Sequence, residues 1–170
     1  QRTQTVETFW NGGSGQSVSQ VAVSGNLTRV DTSLPDGSVC LMLVTGGTGG
    51  HIYPALALAD AAVQRYGNEA EIVFVGNDDR MEASLIPQKG YAFLPLHTSG
   101  LVGGIRGKSR AVLQMLKARR KAAGYIREFQ PDIVIGFGGY VSAPVILAAH
   151  QLGVKTMIHE QNSIMGKANE

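Results

Sequence analysis

The chain has 170 residues, 44% of them hydrophobic and 16% charged, and this composition is typical of one globular domain with a substantial core. The net charge of only +2 gives no general indication of nucleic-acid binding. The single cysteine, Cys40, excludes an internal disulfide and a multi-cysteine zinc site, and we expect a reduced, cytosolic setting. No apolar stretch approaches the roughly 20 residues that span a bilayer, and no signal peptide is recognisable.

Residues 1–38 differ from the remainder of the chain because they are rich in Gln, Ser, Thr, Asn and Gly. Such a composition buries too little apolar surface to offset the entropy of ordering, so we expect a polar tail of uncertain structure. Val18, Val21 and Val23 are compatible with one short strand there. Because the chain does not begin with Met, we also expect it to be part of a longer protein.

From Val39 onward, short runs typical of strands alternate with longer helical segments. In chain order, the predicted elements are strand Val39–Val44, helix Ala55–Tyr66, strand Glu71–Val75, helix Arg80–Gln88, strand Tyr91–Leu96, helix Lys108–Phe129, strand Asp132–Ile135, helix Tyr140–Leu152 and strand Val154–Ile158. A turn is predicted at Gly46–Gly50 and a glycine-rich loop at Gly100–Gly107, and Pro54 suits a first helical turn. Strands separated by helices require parallel pairing. Residues 39–170 are therefore predicted to form an α/β fold with a Rossmann-like, doubly wound parallel sheet.

Three polar or glycine-rich segments follow predicted strands, at the edge of the sheet where such folds bind ligands. They are Thr45–His51 after the first strand, Gly136–Ser142 after the fourth and His159–Asn162 after the fifth. Glycines let a backbone approach a ligand closely, and free N–H groups at a helix start favour anionic or polar oxygen atoms. We therefore expect one shared cleft lined by these segments.

The first of these segments does not match the two common nucleotide-binding loops. A dinucleotide fingerprint read from Gly47 places Ile52 where the last glycine belongs, and one read from Gly46 fails at Thr48. An acid after the second strand, Asp78 or Asp79, is weak support for NAD(P) binding. A Walker loop is excluded because no Lys-Ser or Lys-Thr pair follows the glycines.

Five motifs in register point to a known family. They are Gly46–His51, Asp79–Ala83, Ser99–Leu101, Gly138–Ser142 and His159–Asn162. Together they closely resemble the MurG family of bacterial glycosyltransferases, within glycosyltransferase family 28. The resemblance runs from Val39 to Glu170, and residues 1–38 have no counterpart in it.

The resemblance implies the N-terminal, acceptor-side half of a two-domain GT-B enzyme, with the C-terminal donor domain missing from this chain. Such an enzyme moves N-acetylglucosamine from UDP-N-acetylglucosamine (UDP-GlcNAc) to lipid I, which is undecaprenyl-pyrophosphoryl-N-acetylmuramyl-pentapeptide. The product is lipid II, a precursor of peptidoglycan. The resemblance implies no metal in the transfer step and no cofactor. We expect this half alone to be inactive.

The resemblance also assigns roles by motif position. His51 and Glu160 match positions for acceptor activation or binding, and histidine suits a base because it titrates near neutral pH. The residues expected to touch the donor sugar nucleotide are Thr48, Gly49, Gly50 and Asn162, and those expected near the acceptor pyrophosphate are Gly138, Gly139 and Tyr140.

Ordinary structural roles stay open for four of these residues. They are helix capping or a local turn bond for His51, a loop-stabilising hydrogen bond for Glu160 and for Asn162, and packing at a helix start for Tyr140. His97 and His150 lie outside the glycine motifs and are assigned no function.

A cationic segment lies between Glu82 and Glu128, where the sequence has no acidic residue. Its cations are Lys89, Arg106, Lys108, Arg110, Lys117, Arg119, Arg120, Lys121 and Arg127, interleaved with Leu101, Val102, Ile105, Val112, Leu113, Met115 and Leu116. Such a segment suits an anionic leaflet, so we expect peripheral binding to the cytoplasmic face of the bacterial membrane. A solvated helix face is the alternative. Nucleic-acid binding is not expected, because no aromatic platform accompanies the cations.

Two other functions remain compatible with the sequence. One is a GT-B nucleotide-sugar transferase with a different acceptor, and the other is a non-catalytic acceptor-binding domain. The motifs at Gly138–Ser142 and His159–Asn162 favour the lipid I interpretation over another transferase.

Overall fold

The computed structural model describes residues 17–23, 26–32, 38–98 and 105–160, with side chains described within 38–98 and 113–160. The chain divides into two compact units, Gln1–Ser38 and Val39–Glu170. In the first unit, β1 (Ser17–Val23) pairs antiparallel with β2 (Asn26–Thr32). The strand predicted around Val18–Val23 is therefore confirmed. Its partner β2 was not predicted, because its polar sequence gives little signal by itself.

The second unit alternates strands and helices. In chain order its elements are β3 (Val39–Val44), α1 (Gly49–Tyr66), a 3₁₀ turn (Gly67–Glu69), β4 (Ala70–Gly76), α2 (Met81–Gln88), β5 (Ala92–Pro95), α3 (Ile105–Phe129), β6 (Ile133–Gly136), α4 (Ser142–Gln151) and β7 (Lys155–Ile158). The strands form one parallel five-stranded sheet in the order β5-β4-β3-β6-β7. The predicted α/β, doubly wound fold class is confirmed.

Helix α1 begins at Gly49, so the prediction of a turn through Gly50 and a helix from Ala55 is wrong. Pro54 consequently lies inside the helix, which loses one backbone hydrogen bond there. The early start has a packing reason, because Ile52 in the first turn is fully buried and the helix packs on β3 and β4. Burying one such side chain contributes about 1.5–3 kcal/mol, which exceeds the cost of a glycine in a helix.

Two other boundaries differ from the predictions. Helix α4 begins at Ser142 rather than Tyr140, because Gly138 and Gly139 have φ values of 104° and 82° that no helix accommodates. Helix α3 begins at Ile105, so the last part of the predicted loop Gly100–Gly107 is helical. Residues 99–104 lie outside the described residues, and with them the predicted motif Ser99–Leu101.

The core lies on both faces of the sheet. Met42, Val44, Val73, Val75 and Val134 point to one face, where they pack against α3 and α4. Alternation along each strand sends their neighbours to the opposite face. That face carries α1 and α2, which contact β3 and β4. In the described part of the chain, no helix has the length and apolar character needed to cross a bilayer.

The strand order determines where the sheet opens a crevice for a ligand. Successive strands run outward from β3 to β5, and the chain then crosses back so that β6 lies beside β3 on its other side. The carboxyl ends of β3 and β6 therefore form the switch point at which doubly wound sheets open a crevice. Two of the three segments predicted to line the cleft begin there, namely Thr45–His51 after β3, called the first glycine loop below, and Gly136–Ser142 after β6, called the second.

Candidate functional site at the carboxyl edge of the sheet

The loops that follow β3 and β6 are in direct contact. The Phe137 N–H donates to the Val44 carbonyl at 2.8 Å, which continues the sheet pairing to its edge. Beyond it, a Cβ atom added to Gly139 would lie 2.8 Å from the Gly46 carbonyl oxygen. Only a residue without a side chain permits this approach. The sequence prediction that these loops meet at one edge is confirmed.

His51 lies between the two loops, in the first turn of α1. Its Nδ1 atom is 3.0 Å from the Gly46 carbonyl oxygen and 3.2 Å from Thr48 Oγ1. On its other side, a Cβ atom added to Gly138 would lie 2.8 Å from His51 Nε2. The second loop therefore packs closely against the imidazole ring.

The contact with Gly46 assigns the tautomer of His51. A carbonyl oxygen only accepts hydrogen bonds, so Nδ1 carries the proton that it donates. In the neutral ring Nε2 then has the lone pair, and it is the nitrogen available to accept a proton. The local turn bond left open as an alternative role is present, and it leaves Nε2 available.

The start of α1 supplies backbone donors at the same place. The N–H groups of His51 and Ile52 donate to the Thr48 carbonyl at 3.0 and 3.2 Å. Those of Gly49 and Gly50 precede this first bond, so they have no acceptor within the helix. Thr48 and Gly50 are exposed and Gly49 is half-buried. These amides can reach an oxygen atom of a ligand.

Hydrogen bonds from Ser142 hold the backbone of the second loop, and the side chain of Tyr140 in the same loop is exposed. The buried Ser142 hydroxyl donates to the Gly138 carbonyl at 2.7 Å, and its N–H donates to the Gly139 carbonyl at 3.1 Å. Tyr140 is 60% exposed, so its side chain is not part of the core. The alternative of a packing role for Tyr140 is therefore not supported, and its ring is available to a ligand.

The segment after β7 lies beside the second loop. The His159 N–H donates to the Gly136 carbonyl at 2.8 Å, and the His159 and Phe137 rings have centroids 5.2 Å apart. Burial lowers the pKa of His159, and the nearby Glu160 carboxylate opposes that shift. Glu160 is half-buried at this edge. Asn162 lies outside the described residues.

A buried carboxylate behind the first loop was not assigned a role from the sequence. Glu82, in the first turn of α2, is fully buried, and it accepts hydrogen bonds from the backbone of Gly47 and Asn77. The motif Asp79–Ala83 contains this residue. An acidic residue at a helix start is ordinary, so its contact with Gly47 could not be inferred from the sequence.

An exposed polar cluster lies farther along the same edge. The Asp78 carboxylate is 2.9 Å from His97 Nδ1, and this hydrogen bond lowers the pKa of Asp78. With Asp79, these side chains offer ligand atoms within 4.8 Å of one another. Exposed acidic groups commonly lie together without an ion, and we assign the cluster no ligand.

Helix α3 presents apolar and cationic side chains to solvent. Leu113, Met115 and Leu116 are 60%, 40% and 50% exposed, and Lys117 and Arg120 are also exposed. The helix packs against the core through residues nearer its end, namely Ala118, Ala122 and Ile126. Within the cationic segment, the structure describes the side chains of residues 83–98, which include exposed Lys89, and of residues 113–127. The side chains of Arg106, Lys108 and Arg110 lie outside the described ones.

Comparison with known proteins gives a consistent family. The profile of the Glycosyltransferase family 28 N-terminal domain matches residues 41–170. An enzyme of Lactiplantibacillus plantarum named UDP-N-acetylglucosamine--N-acetylmuramyl-(pentapeptide) pyrophosphoryl-undecaprenol N-acetylglucosamine transferase is 43% identical over 131 residues, which cover 76% of this chain and 36% of that enzyme. The enzyme of the same name from Porphyromonas gingivalis is 44% identical over 126 residues, covering 74% and 33%.

Solved structures agree with the sequence relatives. The crystal structure of Acinetobacter baumannii MurG superposes with a TM-score of 0.67 at 34% identity, covering 77% of this chain and 38% of that one. A glycosyltransferase of kitacinnamycin superposes with a TM-score of 0.58 at 16% identity, covering 77% of this chain and 32% of that one. At this low identity, the match shows only that the fold is shared.

The chain spans about a third of the length of the curated relatives that it matches. The sheet order and these neighbours give the fold of the N-terminal half of a GT-B glycosyltransferase. From its sequence match and its fold together, the chain belongs to glycosyltransferase family 28.

Proposed function

We propose that this chain is the acceptor-side half of a transferase that moves N-acetylglucosamine from UDP-GlcNAc to lipid I and forms lipid II. The observation that carries the proposal is the placement of His51 between two touching glycine loops, with Nδ1 bound to Gly46. Relatives that share this half bear the name of that transferase. We propose that a C-terminal donor domain completes the cleft.

In the proposed reaction, the acceptor hydroxyl attacks the anomeric carbon of N-acetylglucosamine, and UDP leaves with the electron pair of the broken bond. His51 Nε2 takes the hydroxyl proton as the new bond forms. The N–H groups of Gly49 and Gly50 point from the start of α1 toward oxygen atoms of the donor, together with Thr48. Such preorganised amides stabilise developing charge in a site from which water is excluded.

The acceptor is assigned to the second loop. Gly138 and Gly139 have positive φ values of 104° and 82°, which turn the backbone at the cleft. Successive amides in such a turn make a concave surface that suits pyrophosphate oxygens. Tyr140, which is exposed beside them, and Glu160 on the next strand end complete the proposed acceptor side. Asn162 is proposed to contact the donor.

The test of this mechanism is transfer of labelled N-acetylglucosamine to lipid I by the complete enzyme that contains this chain. His51→Ala is expected to lower kcat by about 100-fold or more, as loss of a general base does. His150→Ala is the matched control, because His150 is exposed near the end of α4, at the opposite edge of the sheet. Near-normal turnover by His51→Ala would end the proposal that His51 is the base.

We also propose that the exposed part of α3 rests on the cytoplasmic face of the membrane, where lipid I is held. The support is the combination of exposed Leu113, Met115 and Leu116 with exposed cations on the same helix. Each cation near an anionic surface contributes about 1 kcal/mol to binding.

Liposome sedimentation tests this surface. Residues 1–170 are expected to bind anionic vesicles at low salt, to dissociate as salt rises, and to bind neutral vesicles weakly. The double substitution Lys117→Glu with Arg120→Glu should abolish the binding. Absence of wild-type binding to anionic vesicles at low salt would defeat the membrane proposal.

A further inference from the structure

Glu82 has an unusual environment for a charged residue. Its side chain is fully buried, and among the side chains that the structure describes the other buried polar ones are the uncharged Thr45, Asn77 and Ser142. Burying a carboxylate is costly unless hydrogen bonds replace its water. The contacts of Glu82 therefore indicate what the residue does.

Backbone N–H groups from two loops take the place of that water. Both carboxylate oxygens accept from the Gly47 N–H at 3.3 Å, and Oε1 also accepts from the Asn77 N–H at 3.1 Å. Gly47 lies in the loop after β3, and Asn77 directly follows β4. Glu82 thus joins the carboxyl ends of two neighbouring strands.

The surrounding backbone leaves space for this carboxylate. A Cβ atom added to Gly46 would lie 2.8 Å from Glu82 Oε1, and one added to Gly76 would lie 2.7 Å from Glu82 Cγ. Both distances are shorter than a Cβ contact allows. Two glycines on two strand ends therefore admit the side chain of a residue in α2.

The connection continues to a third strand end. Asn77 Oδ1 accepts hydrogen bonds from the Thr98 N–H at 2.9 Å and from the Thr98 hydroxyl at 2.7 Å. Thr98 follows β5 by a few residues. Glu82 and Asn77 together link the loops that follow β3, β4 and β5.

We propose that Glu82 is a positioning residue that fixes the first glycine loop, and through Gly47 sets the places of Thr48 and His51. The same bonds occupy the Gly47 N–H, so a phosphate of the donor cannot use that amide and must bind those at the start of α1. The positioning follows from the contacts alone. Its effect on transfer rests on the proposed function.

Amide hydrogen exchange of residues 1–170, measured by NMR, tests the positioning directly. Gly47 is an exposed residue, yet its amide should exchange about 10-fold more slowly in the wild type than that of exposed Gly50. In Glu82→Gln, an amide nitrogen replaces one acceptor, and the Gly47 amide should exchange about 10-fold faster than in the wild type. Core amides such as Val73 and Val134 should not change.

Glu69→Gln is the matched control. Glu69 is exposed just before β4, at the opposite end of that strand, and its substitution should leave the Gly47 amide unchanged. If Glu82→Gln does not fold, the exchange rates of the Gly47 and Gly50 amides in the wild type still test whether Glu82 holds the Gly47 amide. Equal exchange of those two amides, or an unchanged Gly47 amide in folded Glu82→Gln, would overturn the proposal.

Kinetics of the complete enzyme test the consequence for transfer. Glu82→Gln should lower kcat by about 10- to 100-fold, because small displacements of reacting groups are costly. The KM for lipid I, which the second loop is proposed to bind, should stay within about 3-fold. An unchanged kcat together with fast Gly47 exchange would refute the effect on transfer. If the wild-type enzyme transfers no sugar to lipid I, the proposed function fails, and the exchange result still stands on its own.

Discussion

Replacing Gly139 with Ala would place a methyl group at the point where the two glycine loops touch. Two costs follow from the structure. The φ of 82° is a left-handed conformation that costs an L-residue about 1–2 kcal/mol. The new Cβ would also lie 2.8 Å from the Gly46 carbonyl oxygen, and relieving such an overlap in a packed site costs about 1–3 kcal/mol. We expect a total destabilisation of about 2–5 kcal/mol.

Comparison with Gly153→Ala separates the steric cost at Gly139 from the conformational cost. Gly153 has a similar φ of 73°, but a Cβ atom there would meet no atom within 4 Å. Its substitution should cost only the conformational part, about 1–2 kcal/mol. Any gain from a less flexible unfolded chain is common to both variants and cancels.

Urea denaturation of residues 1–170 measures the difference. Gly139→Ala should unfold at a urea concentration roughly 1 M lower than Gly153→Ala, given typical dependences of the unfolding free energy on urea. Equal midpoints for the two variants would show that the loops do not touch as described. A cleft shared by the two loops would then be refuted.

Three further predictions concern single side chains. Gly138→Ala should displace the His51 ring and break its Nδ1 bond to Gly46, because the added Cβ would lie 2.8 Å from Nε2; unchanged imidazole ¹⁵N shifts would contradict this. Burial, with two nearby carboxylates, raises the pKa of Cys40 from 9.0 to about 11. Its alkylation by iodoacetamide at pH 8 should therefore be at least about 10-fold slower than that of free cysteine. The free energy of unfolding should fall as pH rises from 9 toward 11, because the thiol then ionises more readily in the unfolded chain. Burial lowers the pKa of His159 below 6.5, so the unfolded chain takes up a proton there more readily than the folded one. The contribution of His159 to stability is therefore complete above pH 6.5 and is lost as pH falls. The substitution His159→Phe should reduce the loss of thermal stability in acid.

The fold was predictable where strong local patterns agree with the tertiary structure. The continuously apolar run Val39–Val44 became the central strand β3, and the four other strands of the parallel sheet lie close to their predicted places. The start of α1 was not predictable, because Gly49 and Gly50 disfavour helix. The complete burial of Ile52 overrides that local preference.

The sequence was sufficient to predict which loops form the site, but not the hydrogen bonds that hold those loops in place. The rule that ligands bind beyond the carboxyl ends of parallel strands placed the two glycine loops and the segment after β7 together. The bond between Glu82 and Gly47 joins residues far apart in sequence, and no periodicity or spacing indicates it. The roles of His51, Glu160 and Tyr140 come from motif resemblance and remain proposals.

We propose that the loops after β3, β6 and β7 line one cleft, in which the acceptor lies beside His51 and against the loops after β6 and β7. An NMR titration of residues 1–170 with a soluble lipid I analogue carrying a short prenyl chain measures whether the acceptor binds there. We expect the amide shifts to concentrate at His51, Gly139 and Glu160, and to be absent at Gly90 and Gly153, which lie at the opposite edge of the sheet. Shifts confined to that opposite edge, or no shifts with the analogue in large excess, would show that these loops do not bind the acceptor.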